Sequence, residues 1–469
     1  MYVMLRKTKE SVFGLLRRPY SGKHLVALIG AAALLIWLVF LVAGDYPTFR
    51  YRSEPNLLYL EKAPDDAENE TREIDDLGKP ELKINPITKL DVDADTEKND
   101  PDYNWRNLTP AEISRLSVLG RRMFLNENIG TKQDRNFTIH IWNHKEFSGE
   151  LDERFFKVGS SKKFDPFEDC SVNNCKVTSP DGDIMAADIV LFHMHLIPGP
   201  PVDVPRTPGQ LWAWLADESP YHVMMVSSDR NLSHFNGFFN WSMTYRMDSS
   251  VPTPYGRTVP LPKDEYIYTI DDYYKLKQKN ISLMGSNCGG SNERYTYLTE
   301  LQKHIEIDVY GGCGPLKCEG HFYTNCDKLD DYKFYLAFEN SNCDDYVTEK
   351  VWWNALNKSA VPVVMGAPKH NYQKLLPPNS FIHVDDFKGP EHLAQHLQYL
   401  LDHPAEYQKY HYWRRRYRVL NEHGFFQSPV YHMCRLCEAL NYNNKTDQRA
   451  DLEHFFDSNE HCYAVKKRD

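Results

Sequence analysis

The most apolar stretch of the chain comes early. Leu25 to Gly44 (LVALIGAAALLIWLVFLVAG) runs 20 residues without a charge. An α-helix needs about that many to cross a bilayer core of roughly 30 Å, so the pattern predicts a membrane span at 25–44. A cleaved signal peptide has an apolar region of only about 7–15 residues and ends in a small-x-small site; no clean site of that kind follows here. Polar positions then dominate to about residue 105, after which short apolar runs alternate with amphipathic stretches. Phe137–Trp142 (FTIHIW), Asp188–Phe192 (DIVLF), Ile305–Tyr310 (IEIDVY), Phe334–Phe338 (FYLAF) and Val361–Met365 (VPVVM) read as strands. Several are continuously apolar, as in strands covered on both faces. Leu393, Leu397, Leu400 and Leu401 recur at helical spacing. The alternation predicts an α/β fold with parallel sheets.

Composition adds size and compartment. The 469 residues are 41% hydrophobic and 13% aromatic, which excludes a disordered chain and suits two to three domains. The net charge of −10 is concentrated in residues 45–102, which hold 17 acids against 8 bases. So little apolar surface there cannot offset the entropy of ordering, and 45–105 reads as an acidic stem rather than a binding segment. Residues 1–24 carry Arg6, Lys7, Lys9, Arg17, Arg18 and Lys23 against Glu10. The positive-inside rule makes them a cytoplasmic tail and places the remainder in the lumen or outside.

Two further features fit an oxidising, glycosylating compartment. N-x-S/T sequons stand at Asn69, Asn107, Asn136, Asn231, Asn240, Asn280, Asn357 and Asn444, with Asn240 and Asn357 in apolar contexts that point to burial. All ten cysteines follow the apolar run, an even number suited to disulfides. Cys434 and Cys437 form a CxxC that reads as structural, because no second pair, histidine spacing or thioredoxin-like unit accompanies it. Spacing alone leaves the connectivity open.

Candidate chemistry is sparse. No G-x-x-x-x-G-K-[ST] loop and no G-x-G-x-x-G after a strand occurs, and the D-x-D pairs Asp181/Asp183 and Asp91/Asp93 read as solvated surface rather than metal ligands. One stretch stands out: FYLAFENSNCDDYVTEK (Phe334–Lys350) passes from a buried strand through a polar turn to a helix start bearing Glu349 and Lys350. A lysine in a helix's first turn opposes the dipole unless an anion sits there. Lys350 makes sense as a phosphate ligand at the end of a strand, and a solvated lysine with its stem along the surface stays open beside it.

This stretch, continued as FYLAFENSNCDDYVTEKVWWNAL and followed by VPVVMGAP and LPPNSFIHVDDF, closely resembles the donor-binding signature of the α1,3-fucosyltransferase family (glycosyltransferase family 10). LWAWLADESP, FNWSMTYRMDS, SNCGGSNERYTYL and IDVYGGCG extend the likeness over roughly residues 135–440. The resemblance implies a GT-B arrangement of two facing Rossmann-like domains, an acceptor-side one at 106–275 and a donor-binding one at 276–440, followed by a tail at 441–469. It implies a single-pass type II Golgi membrane protein. Its donor is GDP-fucose, its partners are N-glycans or other GlcNAc-bearing glycoproteins, and nucleic acid has no part. No cofactor is strictly required, and a divalent cation (Mn or Mg) is at most stimulatory. By motif, Arg294, Asn340, Tyr346, Glu349 and Lys350 bind the donor, with Arg294 and Lys350 on the diphosphate and Tyr346 and Glu349 near sugar hydroxyls. Glu218 in LADESP is the matching general base, and family precedent pairs Cys434 and Cys437 with Cys170 and Cys175.

The implied activity is inverting α1,3-fucosylation of GlcNAc. The SNC sequence and the CxxC favour the innermost GlcNAc of N-glycans, with Lewis-type modification of antennal GlcNAc as the alternative. A silent glycan-binding relative and a transferase using another nucleotide sugar are the readings from other classes. Two departures stand out. FHMHLI puts Met194, His195 and Leu196 where Lewis-type members carry an acceptor-influencing block, and Ser291 stands where many relatives have arginine.

Overall fold

In this computed structural model, residues 105–464 are described apart from 143–164, 168, 179–182, 225–226, 228, 320–323, 426–427 and 445–450. The span at 25–44, its flanking tail, nearly all of the stem, Asn69, Asp91, Asp93 and Asp181 lie outside the described residues. Among the described residues no helix is long and apolar enough to cross a membrane.

Two parallel sheets organise the chain. The first holds β1 (Phe137–Trp142), β2 (Cys175–Thr178), β3 (Ile189–His193), β4 (Leu211–Ala216), β5 (Trp241–Thr244) and β6 (Val251–Pro252), in the order β2-β1-β3-β4-β5-β6. The second holds β8 (Lys279–Met284), β9 (Asp308–Tyr310), β10 (Tyr332–Phe338), β11 (Val361–Met365) and β12 (Ile382–His383), in the order β12-β11-β10-β8-β9. Between them in sequence, β7 (Gly256–Pro260) pairs antiparallel with β13 (Tyr417–Asn421).

The apolar runs became the central strands because only two-sided burial satisfies them. All residues of β3, β10 and β11 are buried, with Phe334 in register with Ile281 on one side and Val361 on the other. The leucine stripe forms the helix Pro390–Asp402, which buries Leu393, Leu397, Leu400 and Leu401. The run predicted at 305–310 forms a strand only over Asp308–Tyr310, because the Ile305 N–H still closes the preceding helix by donating to the Leu301 carbonyl at 3.2 Å. Lys279–Met284 gave little apolar signal, yet β8 is central to its sheet, and the hydroxyl-bearing Ser282 is fully buried there.

The C-terminal part returns to the first sheet. The helix His432–Tyr442 is bonded through Cys434 to Cys170 and through Cys437 to Cys175. Further on, Phe455 and Phe456 stack edge-on against Trp214 of β4 at 6.0 and 5.3 Å. The same segment reaches the second sheet, where Cys462 is bonded to Cys343, the Asp344 N–H donates to the His461 carbonyl at 2.8 Å, and the Tyr463 N–H donates to the Asn342 carbonyl at 2.7 Å. The remaining cysteines pair as Cys288–Cys313 and Cys318–Cys326.

Candidate active site

In a doubly wound sheet the strand order reverses where chain crossovers diverge, and the crevice outside the carboxyl ends of the strands opens there. In the second sheet that point lies between β8 and β10. The loops leaving those two strands are fastened together. Ser291 N–H donates to the Asn340 carbonyl at 2.8 Å, and Asn292 Nδ2 donates to the Glu339 carbonyl and to Asn342 Oδ1, both at 2.9 Å. Gly290 takes φ +148°, and a Cβ there would lie 2.9 Å from the Asn340 carbonyl oxygen, so only glycine allows this approach. Ser291 thus serves as a brace between the two loops.

At the end of β10 sits a carboxylate that sequence reasoning overlooked. Glu339 is fully buried, accepts from Thr348 N–H at 2.8 Å and from Thr348 Oγ1, and pairs with Lys350 Nζ at 3.0 Å. Lys350 also donates to Thr348 Oγ1 at 2.8 Å and to Glu349 Oε1 at 3.2 Å. An ammonium has three N–H groups, and here each has a partner. The alternative of a solvated lysine is excluded: the Lys350 side chain is only 18% exposed, held in the first turn of a short helix (Glu349–Val351) that continues as a π-helical turn over Trp352–Asn357. Burial works against its charge, but Glu339 and Glu349 outweigh it and raise the ammonium above its ordinary value. Burial likewise lifts the Glu339 carboxyl despite Lys350. For Glu349 burial pushes up, while Lys350 and the Thr348 hydrogen bond more than offset it and hold the carboxyl low. The signal for Glu339 was a glutamate directly after the apolar run FYLAF, in FEN.

Arg294, at the start of the helix Arg294–Leu301, is buried rather than a surface charge. Its Nη1 donates to the Phe338 carbonyl at 2.8 Å, its Nη2 to Asn287 at 2.6 Å and its Nε to Gly289 at 3.1 Å. Three of the five guanidinium N–H groups thus brace the two loops. Asn340 Oδ1 accepts from Ser341 Oγ at 3.0 Å.

From the first sheet, β4 delivers Asp217 and Glu218. Glu218 Oε2 accepts a hydrogen bond from Tyr346 OH at 3.0 Å, so the acidic residue after β4 meets the loop after β10. Tyr346 is itself buried beside Tyr245 and Tyr255, with ring centroids 5.1 and 6.3 Å away, and Tyr255 OH donates to the Asp217 carbonyl at 2.6 Å. Asp217 is buried and paired with His193 Nε2 at 3.0 Å. Burial alone would raise its carboxyl, but His193 and His423 together draw it well below the usual range. His222 accepts or donates at Ser219 Oγ, 3.0 Å away; burial lowers its imidazole most, Glu218 opposes this, and Arg294 and His195 add to it. These residues gather Glu218, Tyr346, Glu349, Lys350 and Arg294 about one locus.

Outside this locus, Met194 is fully buried in the core, so the FHMHLI stretch spends its third position on packing. Asp183 caps a 3-10 turn by accepting from Met185 N–H at 2.9 Å. Among the described residues no group of three or more His, Cys, Asp or Glu is arranged to hold a metal ion. Asn107, Asn136, Asn231, Asn280, Asn357 and Asn444 are exposed, so Asn357 departs from its expected burial. Asn240 is buried, with Oδ1 accepting from Trp212 N–H at 2.9 Å, which excludes it as a glycan carrier on the folded chain.

Two family models match the chain: "Fucosyltransferase, N-terminal" over residues 134–256 and "Glycosyltransferase family 10 (fucosyltransferase) C-term" over 274–455. Glycoprotein 3-alpha-L-fucosyltransferase A of Drosophila melanogaster is 37% identical over 280 residues, covering 58% of this chain and 51% of that protein. A 4-galactosyl-N-acetylglucosaminide 3-alpha-L-fucosyltransferase of Homo sapiens is 38% identical over 284 residues, covering 60% of this chain and 74% of that one. The chain thus spans about half the length of the first relative and about three quarters of the second. A crystal structure of an alpha1,3-fucosyltransferase with GDP-fucose aligns at TM-score 0.41 and 18% identity, over 71% of this chain and 98% of the other. By class the protein is a glycosyltransferase. It belongs to glycosyltransferase family 10, the fucosyltransferases.

Proposed function

We propose that the chain moves fucose from GDP-fucose to a GlcNAc hydroxyl of glycoprotein glycans with inversion, the innermost GlcNAc of N-glycans being the favoured acceptor. The observation that carries this reading is the 3.0 Å contact between Glu218, after β4 of one parallel sheet, and Tyr346, after β10 of the other. It supports a carboxylate from one side working with the donor-binding loop of the other, in keeping with a GT-B cleft between domains at 106–275 and 276–440. The Drosophila relative, named for glycoprotein modification, supports the core acceptor; the human one, named for a galactosylated GlcNAc, supports the antennal alternative.

In this reading Glu218 removes the proton of the attacking hydroxyl, because a sugar hydroxyl is a poor nucleophile until that proton is leaving. Lys350 and the uncommitted N–H groups of Arg294 meet the diphosphate, whose charge grows as the glycosidic bond breaks. Lys350 must surrender one of its three partners to do so. Glu349 Oε1, the most distant at 3.2 Å, is the one to yield, which frees that carboxylate for a sugar hydroxyl. A divalent cation, Mn or Mg, would be stimulatory rather than required in this reading, adding positive charge beside the diphosphate that Lys350 and Arg294 already meet. The direct test is transfer by the purified full chain from GDP-fucose to core and antennal acceptors, with linkage read by mass spectrometry; transfer from a UDP- or CMP-sugar instead would overturn the reading.

Tyr346 then orients the base as well as facing the donor. Tyr346→Phe keeps the ring packing but removes the hydroxyl that holds Glu218 at 3.0 Å, so kcat is expected to fall along with donor affinity. An unchanged kcat with only a weaker donor KM would restrict Tyr346 to the donor.

A Golgi type II topology completes the proposal, from the apolar run at 25–44 and the basic residues before it. In intact microsomes the catalytic region should resist added protease, and glycosidase should reduce the apparent mass. Digestion without detergent would refute the orientation.

A further inference from the structure

Beside Glu218 the first-sheet side of the protein holds a cavity of about 330 Å³ that no step above uses. Pro220, Tyr221 and Met224 form one wall, Arg230 to Leu232 a second, and Glu453, Asp457 and Ser458 of the C-terminal segment the third. Pro220 follows Glu218 by two residues, so the cavity begins within about 7 Å of it along the backbone. Its size is at the low end of small-ligand sites.

The walls are built rather than incidental. Asn231 Oδ1 caps the 3-10 turn Leu232–Phe235 by accepting from Ser233 N–H at 3.0 Å, and Asn236 Oδ1 accepts from Glu453 N–H at 3.2 Å, joining the second wall to the third. The third wall is fixed at its base by the Phe455 and Phe456 rings on Trp214, and beyond it by the Cys343–Cys462 bond. The same tether leads to the loop after β10, so the cavity keeps a set position relative to the donor side.

The lining chemistry selects the ligand. Two carboxylates against one guanidinium repel a nucleotide or phosphate. Pro220, Met224 and Leu232 are apolar but the rest of the lining carries polar groups, whereas sites for apolar ligands are lined mainly by hydrophobic side chains. Tyr221 is 48% exposed and offers a ring face with a polar tip, Glu453 and Asp457 accept hydrogen bonds, and Arg230 donates them. Together they suit a neutral, polyhydroxylated ring. We infer that this cavity is an acceptor subsite for a sugar residue beyond the GlcNAc that receives fucose, with its outer wall supplied by the C-terminal segment at 453–458. The inference rests on the transferase reading above.

One corollary concerns Asn231, whose sequon stands at the rim. Its Nδ2 lies 3.3 Å from His234 Nε2, and a glycan there would fill the cavity. Asn231 is therefore expected to be unmodified in the secretory protein, read by glycopeptide mapping; full occupancy would overturn the subsite.

The main test compares two acceptors presenting the same target, GlcNAc2-Asn and Man3GlcNAc2-Asn, with a third in which GlcNAc2-Asn is embedded in a peptide. Tyr221→Ala and Glu453→Gln are exposed substitutions with little consequence for folding. Each is expected to raise KM for Man3GlcNAc2-Asn on the order of tenfold, the loss of one charge-assisted hydrogen bond or one aromatic contact. KM for GlcNAc2-Asn and for GDP-fucose should not move. Equal shifts on both glycans, or none, overturn the proposal, and a shift confined to the peptide-borne acceptor assigns the cavity to peptide instead. Should the wild-type chain transfer fucose to none of them, the core-acceptor reading fails on its own. Saturation-transfer NMR with Man3GlcNAc2-Asn then decides the subsite: binding lost in Tyr221→Ala keeps it, and no binding to wild type removes it.

Discussion

Glu218→Gln is expected to lower turnover by roughly 10²–10⁴ while GDP-fucose still binds. Glutamine preserves size and can still accept the 3.0 Å hydrogen bond from Tyr346 OH, so the tyrosine cluster and the contact between the two sheets should survive. What it cannot do is take the acceptor's proton. The acid limb of the wild-type rate profile should vanish in the variant, measured under single-turnover conditions so that product release does not mask chemistry. Near-wild-type single-turnover rates on a verified acceptor would move the base elsewhere in the first sheet. Asp217, the neighbouring carboxylate, is a poor substitute because His193 and its burial already occupy it.

Lys350→Ala carries the second large effect, and it is a double one. Removing a cation aimed at a developing diphosphate should slow transfer on the order of 10²-fold and weaken GDP binding. The same change strips Glu339 of its 3.0 Å partner in a fully buried site. Breaking a buried ion pair from one side typically costs roughly 3–5 kcal/mol, because the remaining charge is left uncompensated. The sign of the pH dependence follows from Glu339. Burial already raises its carboxyl above the ordinary value, and loss of the ammonium raises it further. A carboxyl that holds its proton more tightly when folded stabilises the protein below its unfolded-state value, and that stability is lost as pH rises through the folded-state value. Thermal melts should therefore find the variant best tolerated on the acid side and progressively weaker toward neutrality. GDP affinity measured on the folded fraction separates the two effects, and an unchanged affinity would leave Lys350 a purely structural partner of Glu339.

Much of this was written in local pattern. The strands Phe137–Trp142 and Val361–Met365 and the leucine stripe of Pro390–Asp402 were legible because continuous apolar runs and a helical stripe each have one burial solution. Motif likeness likewise singled out Glu218, Tyr346, Glu349 and Lys350 without any fold. Tertiary structure alone decided how they meet. The Tyr346–Glu218 hydrogen bond joins residues 128 apart in sequence, and the pairing of Cys343 with Cys462 spans 119. No periodicity records such partners, because a pattern of apolar and polar positions states which side of an element is covered and not by what. Lys350 shows the limit most clearly. Its sequence position marked a cation at a helix start, but whether water or a buried carboxylate would surround it depended on Glu339, eleven residues back on a strand whose end the sheet brings against that helix.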